Sequence, residues 1–258
     1  MERAMIRDEN ILYVSWFNPE NSFICPVARL LERRLSPRYS FAYIEGARTA
    51  LAQGFTPFAG FDELDGIYES DGLFPMFANR LVISSRTGDP ANASVLDLVP
   101  TGGDPFLVLA RDSRRERTEK LELFGLPATD PDTNDLLYRF LVRGIRHVAF
   151  GEEAALGLSP GHELYCLSDW QNPNDPGAVV LRTTTPHQMA GFMPHYLGEE
   201  VARLREAGAA LRVLVERVNP SPAPRHQRLM CVMRARAMPG FKPFSSFRYM
   251  PVNPQAGY

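Results

Sequence analysis

The feature that most constrains this chain is the run Gly125-Leu126-Pro127-Ala128-Thr129-Asp130-Pro131-Asp132-Thr133-Asn134-Asp135, which has no hydrophobic period and is dense in turn formers. An apolar stripe cannot continue through it, so the residues on either side must each find a core of their own. At 258 residues the chain is also long for one ordinary domain. The expected organisation is therefore two domains, residues 1-126 and residues 136-258. With 45% hydrophobic and 22% charged residues, the composition is that of a chain that buries a core.

Charge divides along the same line. Residues 136-258 carry 14 Lys and Arg against 9 Asp and Glu, a balance of +5, whereas residues 1-135 carry 14 against 21, a balance of -7. All five histidines also fall in the second half. Such a split implies different partners for the halves, with a polyanion as the candidate for the basic one. No window approaches the roughly 18 apolar residues that a membrane helix needs. The opening MERAMIRDEN has charges where a signal peptide needs an apolar run, so the expectation is a cytoplasmic protein with no membrane partner. Cys25, Cys166 and Cys231 are dispersed and odd in number, which suits neither a disulfide framework nor a CxxC zinc site. They are read as packing residues, and no metal or cofactor is expected.

The first half predicts a small antiparallel sheet with short helices. Ile11-Phe17, Phe23-Leu31 and Arg38-Ile44 are rich in β-formers, with turn chemistry at Asn18-Pro19-Glu20-Asn21 and at Leu35-Ser36-Pro37. Gly54-Phe61 reads as a structured loop, and Leu73-Leu81 as a helix with a proline in its first turn. Pro105-Ala110 reads as a second short helix, Arg111-Arg117 as a solvated basic turn, and Lys120-Phe124 as a strand. Beyond the break, Leu137-Ile145, Glu163-Leu167, Ala178-Arg182, Met189-Met193, Leu211-Val218 and Leu229-Ala235 read as strands, with a helix over Leu197-Ala207. Many short strands and one or two helices predict a compact β-barrel, so the whole chain is α+β.

Three motifs in the second half occur in the order found in HIRAN domains, over roughly residues 137-218. Arg143-Gly144-Ile145-Arg146-His147 resembles the end of that family's first strand. Gln171-Asn172-Pro173-Asn174-Asp175-Pro176-Gly177-Ala178-Val179 resembles its N-P-x-D-x-x-A-[IV] signature, and Gly191-Phe192-Met193-Pro194 its strand-to-helix junction. The resemblance implies a small OB- or SH3-like barrel that binds DNA, as single strands or at 3′ ends. The nucleic-acid-binding residues it implies are Arg146 as a phosphate contact and His147 at a stacking position. It also implies Asn172, Asn174 and Asp175 near the terminal sugar, and Phe192 and His195 at the junction. Relatives that bind ends carry Tyr at the positions of His147 and Asn174 and Lys at that of His195, so two aromatic platforms and one fixed cation are weakened here. Read from the residues alone, Asn172 and Asp175 with Pro173 and Pro176 make a rigid turn.

The first half is similar to the N-terminal subdomain of HipA-type toxin kinases, through Val27-Ala28-Arg29-Leu30, Tyr39-Ser40-Phe41-Ala42-Tyr43 and Leu73-Leu81. The kinase core has no counterpart: no Gly-rich phosphate loop or catalytic Asp with a metal-binding Asn can be placed after residue 125. Neither a G-x-S-x-G elbow, a P-loop, an H-E-x-x-H nor a Cys/His cluster at metal spacing is present. His162-Glu163 reads as a surface pair at a strand entrance, so no enzyme activity and no catalytic residue is expected. Two functions of different class follow. One is a non-catalytic DNA-binding accessory factor in repair or defence. The other is a protein-protein adaptor that docks through the HipA-like half without binding DNA. After Glu216 the chain has seven basic residues and no acidic one, with Phe241, Phe244, Phe247 and Tyr249 interleaved. This tail would either face phosphates and bases or pack on a domain.

Overall fold

A computed structural model describes residues 9–86, 106, 109, 120–221, 223–236 and 238–257. The expected basic turn Arg111-Arg117, and the helix Pro105-Ala110 apart from Phe106 and Leu109, lie outside the described residues. The fold is α+β with two antiparallel sheets, one in each of two compact units.

The first unit comprises the chain up to Leu126 together with Phe244 onward. Its elements are β1 (Glu9–Phe17), β2 (Ile24–Arg33), β3 (Tyr39–Tyr43), α1 (Gly46–Leu51), β4 (Ile67–Ser70), α2 (Pro75–Arg86) and β5 (Leu121–Gly125). The strands lie in the order β4-β3-β2-β1-β5. The turn chemistry read in the sequence closes the first hairpin: the Asn18 side-chain oxygen accepts from Glu20 N at 2.9 Å, and that of Asn21 from Phe23 N at 3.0 Å.

Aromatic packing dominates this core. Phe41, fully buried on β3, has the rings of Tyr43, Phe58, Phe61, Tyr68, Phe74 and Phe77 around it. Two of these, Phe58 and Phe61, come from the loop after α1, so the Gly/Pro/aromatic stretch is a plug for the sheet. Tyr43 ties that plug down, donating to Phe61 O at 2.8 Å and accepting from Phe58 N at 2.7 Å. Burial pushes its phenol pKa well up.

The closing segment was expected to belong with residues 136-258. It packs instead in the first unit. Ile44 pairs with Pro251, and Val252 N donates to Tyr43 O at 3.0 Å. Phe244 and Tyr249 join Tyr13 and Phe124 in an aromatic cluster with ring centroids 5.0 to 5.7 Å apart. Arg29, 1% exposed on β2, donates to Ala256 O and Gly257 O. The interleaved aromatics are thus packing groups, apart from Phe241 and the exposed Phe247.

The second unit, Pro127–Pro243, holds β6 (Ala128–Thr129), β7 (Asp135–Leu141), α3 (Gly151–Leu156), β8 (Glu163–Ser168), β9 (Val179–Arg182), β10 (Met189–Phe192), α4 (His195–Glu206), β11 (Leu211–Val218) and β12 (Leu229–Arg236). The break in the sequence is only in part a linker. Asp130 accepts from Asp132 N at 3.0 Å and Thr133 N at 3.1 Å, pairs with Arg234 at 3.0 Å, and so makes the β6–β7 turn. Those backbone donors, with the Arg234 guanidinium, hold its carboxyl below the ordinary value.

The sheet runs β10-β9-β8-β11-β12-β7-β6, and it does not close into the expected barrel. Its curvature brings Arg143, just past β7, against Phe192 on β10 through two hydrogen bonds of 2.8 Å. That bridge is isolated. Gly144 turns the chain away with φ 63, into a 3-10 turn at Ile145–His147, and this stops the ladder. The strand expected over Leu137-Ile145 therefore ends at Leu141, because residues 144–147 are spent on the turn.

α4 buries Tyr196, Leu197, Val201 and Leu204 along one stripe. Glu200 is 1% exposed on the same stripe, accepting from Tyr138 OH at 2.9 Å and pairing with Arg203 at 2.9 Å. Burial and this carboxylate push the Tyr138 phenol pKa up. Cys25 and Cys231 are buried, and Cys166 is partly so. Desolvation lifts the Cys166 thiol to about 11, which keeps it a packing group at neutral pH. No helix is long and apolar enough to cross a membrane among the described residues.

Candidate nucleic-acid interface

The predicted site residues fall into two groups that meet at Phe192. The first is the 3-10 turn after β7, where exposed Arg146 donates through Nε to His147 Nε2 at 3.0 Å. This bond gives the imidazole proton to Nδ1. Six of the twelve guanidiniums of the second unit are seen paired with carboxylates: Arg139 with Glu216, Arg203 with Glu200, Arg212 with Glu163, Arg225 and Arg228 with Glu152, Arg234 with Asp130. Arg146 has no carboxylate partner among the described residues. Its charge is available to an anion.

The second group is the N-P-x-D turn between β8 and β9 and the start of α4. Asn172 Oδ1 accepts from the backbone N–H groups of Asn174 and Asp175, both at 3.1 Å, while its Nδ2 donates to Asp169 at 3.1 Å. Asp175 Oδ1 accepts from Gly177 N at 2.9 Å, and its Oδ2 lies 2.7 Å from His195 Nδ1. Asn172 is thus a turn former, as the residue types alone suggest, and most of its hydrogen-bonding capacity is used within the loop. Asn174 is exposed and lends the turn only its backbone N–H. Asp175 and His195 share one hydrogen bond with 22% of each side chain exposed, so the pair rests on structure while keeping a polar edge toward solvent. Its place at the first residue of α4 also puts the carboxylate where the helix N-terminus favours negative charge.

Two glycines hold these groups in place. A Cβ on Gly198 of α4 would lie 2.2 Å from Gly177 O, so helix and turn touch backbone to backbone. A Cβ on Gly144 would lie 2.9 Å from the Phe192 ring, which therefore rests on the turn that presents Arg146. From Phe192 the chain needs only Met193 and Pro194 to reach His195. Gly198→Ala should consequently displace α4 from the turn and cost about 3 kcal/mol, of the size of an overpacked core. Urea denaturation followed on the second unit checks this, and an unchanged midpoint would show that the close approach is relaxed easily.

Sequence reasoning gave no turn at Arg225, His226 and Gln227, which form a second 3-10 turn packed against Ile145–His147. It placed Arg143 only as the start of the first motif and did not foresee its bridge to Phe192. Both contacts depend on a pairing distant in sequence. His162 and Glu163, the pair closest to a catalytic motif, point to different partners: His162 Nδ1 accepts from Ser159 N at 3.1 Å, and Glu163 takes both oxygens to Arg212 at 3.0 Å. No group of three or more His, Cys, Asp or Glu side chains is placed to hold a metal among the described residues.

No protein-family model and no curated protein matches the chain. Among solved structures, it is similar to a protein from Lactobacillus plantarum, with 20% identity and a TM-score of 0.31 over 39% of this chain and 96% of that one. It is also similar to the HIRAN domain of human HLTF, with 16% identity and a TM-score of 0.30 over 38% of this chain and 74% of that one.

Proposed function

We propose that the second unit is a non-catalytic, HIRAN-type module that binds DNA, as single strands or at ends, and that the chain serves as an accessory factor in repair or defence. The observation that carries this reading is the exposed Arg146 guanidinium, free of any described carboxylate, on a turn that abuts the half-buried Phe192 ring. A cation for phosphate, a ring for a base, and the Asp175–His195 polar edge for a sugar hydroxyl follow one another along a continuous rim. The motif order supports the same reading. For the first unit, whose acidic balance disfavours DNA, the proposed role is docking on a protein partner.

The test is a gel-shift panel of single strands with free and blocked 3′ ends, duplexes and forks, repeated across salt. Binding that weakens steeply as salt rises supports the reading, and no binding at low salt favours the adaptor. His147→Tyr enlarges the stacking surface and is expected to raise single-strand affinity by roughly 1 kcal/mol. Unchanged affinity in that variant, with its melting curve intact, would remove His147 from the groove.

A further inference from the structure

The outer face of β8, β9 and β10 carries exposed apolar surface that the predicted site does not use. Antiparallel register sets it out in two rows: Leu167, Val180 and Phe192 stand opposite one another, and so do Tyr165, Arg182 and Met189. Val180 is buried, whereas Tyr165 is 48% exposed, Leu167 41% and Met189 50%. The second row lies two residues along β8 and β9 from the first, about 7 Å, and a bulge in β10 makes the same step three residues there. Just beyond β8, at the entrance to the Asn172 turn, Trp170 leaves 81% of its surface in water. Large apolar groups concentrated in this way mark a contact surface rather than scattered exposure.

We propose that this face continues the groove for single-stranded nucleic acid, with Tyr165 and Trp170 as further stacking platforms and Arg182 as a second phosphate contact; this rests on the DNA-binding reading above. Three observations select a nucleic acid over an apolar protein surface. The Arg182 guanidinium lies over the Tyr165 ring, 5.5 Å from its centroid, and has no carboxylate partner among the described residues. The two rows contain no acidic side chain, and Glu163, farther along β8 on the same face, is neutralised by Arg212. Phe192 belongs both to the inner end of this face and to the rim at Arg146, so the two surfaces are continuous. A strand leaving Phe192 along β9 would meet the Arg182–Tyr165 pair, a cation over a ring, while Trp170 stands beyond the other end of the Phe192 row, so a phosphate contact and stacking platforms flank that row.

The experiment is fluorescence anisotropy with oligothymidylates of about three and about ten nucleotides, spanning the usual site sizes for such modules. Wild-type affinity is expected to rise at least tenfold with length. Tyr165→Ala and Trp170→Ala should each lower affinity for the long oligomer roughly fivefold to tenfold and leave the short one unchanged, whereas Arg146→Ala should weaken both. Both positions are exposed, so folding is preserved, and circular dichroism verifies it. If both aromatic variants bind the long oligomer as the wild type does while Arg146→Ala still weakens it, the extended face is wrong and the groove stands. If neither oligomer binds the wild type, both readings fall. Self-association abolished by Tyr165→Ala, with nucleic-acid binding intact, would make the face a contact between copies and overturn the proposal.

Discussion

Phe244→Ala is expected to destabilise the first unit by about 3–5 kcal/mol, the cost of emptying a buried aromatic site. Phe244 is 2% exposed and has the rings of Tyr13, Phe124 and Tyr249 within 5.7 Å. Its backbone is left-handed at φ 48, which alanine tolerates no better, so the loss comes from the ring and is not offset by relief of strain. Hydrogen exchange should show protection falling in β1 and β5, which supply Tyr13 and Phe124, and holding in β11 and β12. The opposite pattern would return the closing segment to the second unit. Because β1 is paired with both β2 and β5, fraying there propagates through the sheet.

Arg146→Ala should weaken binding of every single-stranded DNA by about 1.5–3 kcal/mol, the worth of a hydrogen bond to a charged group. It should also reduce the slope of log affinity against log salt by about one, because one fewer phosphate is neutralised. Stability should be nearly unchanged, since the side chain is exposed and its hydrogen bond to His147 is local. The paired guanidiniums provide the control. Arg139→Ala removes the same formal charge from the same unit, but that charge is already spent on Glu216, so its salt slope should stay near that of the wild type. Equal effects from the two substitutions would mean that net charge, rather than a placed cation, drives association.

The local chemistry was legible because it depends on neighbours in the chain. Leu211–Val218 lies where alternation puts it, the strand expected over Ile11-Phe17 starts a little earlier at Glu9, and the helix expected over Leu73-Leu81 starts at its proline and runs on to Arg86. The Asn172 and Asp175 turn is made by the hydrogen bonds that those side chains form with backbone a few residues on. Elements without such a signal were not legible. The strand Ile67–Ser70 is short and half-buried and draws its order from pairing with β3, and α1 is a six-residue helix held by contact with β2.

Sequence by itself determined the α+β character of the chain, the antiparallel sheet of the first half, and the turns that Asn18, Asn21, Asn172 and Asp175 make. Those follow from periodicity, propensity and turn chemistry, all of which act over a few residues. Tertiary structure alone decided that the closing segment returns to the first unit, that the second sheet stops short of closing at the Gly144 turn, and which arginines are spent on carboxylates. Each of these is a choice among partners far apart in the chain. Burial and geometry make that choice, and composition assigns the same charge to Arg146 as to Arg212.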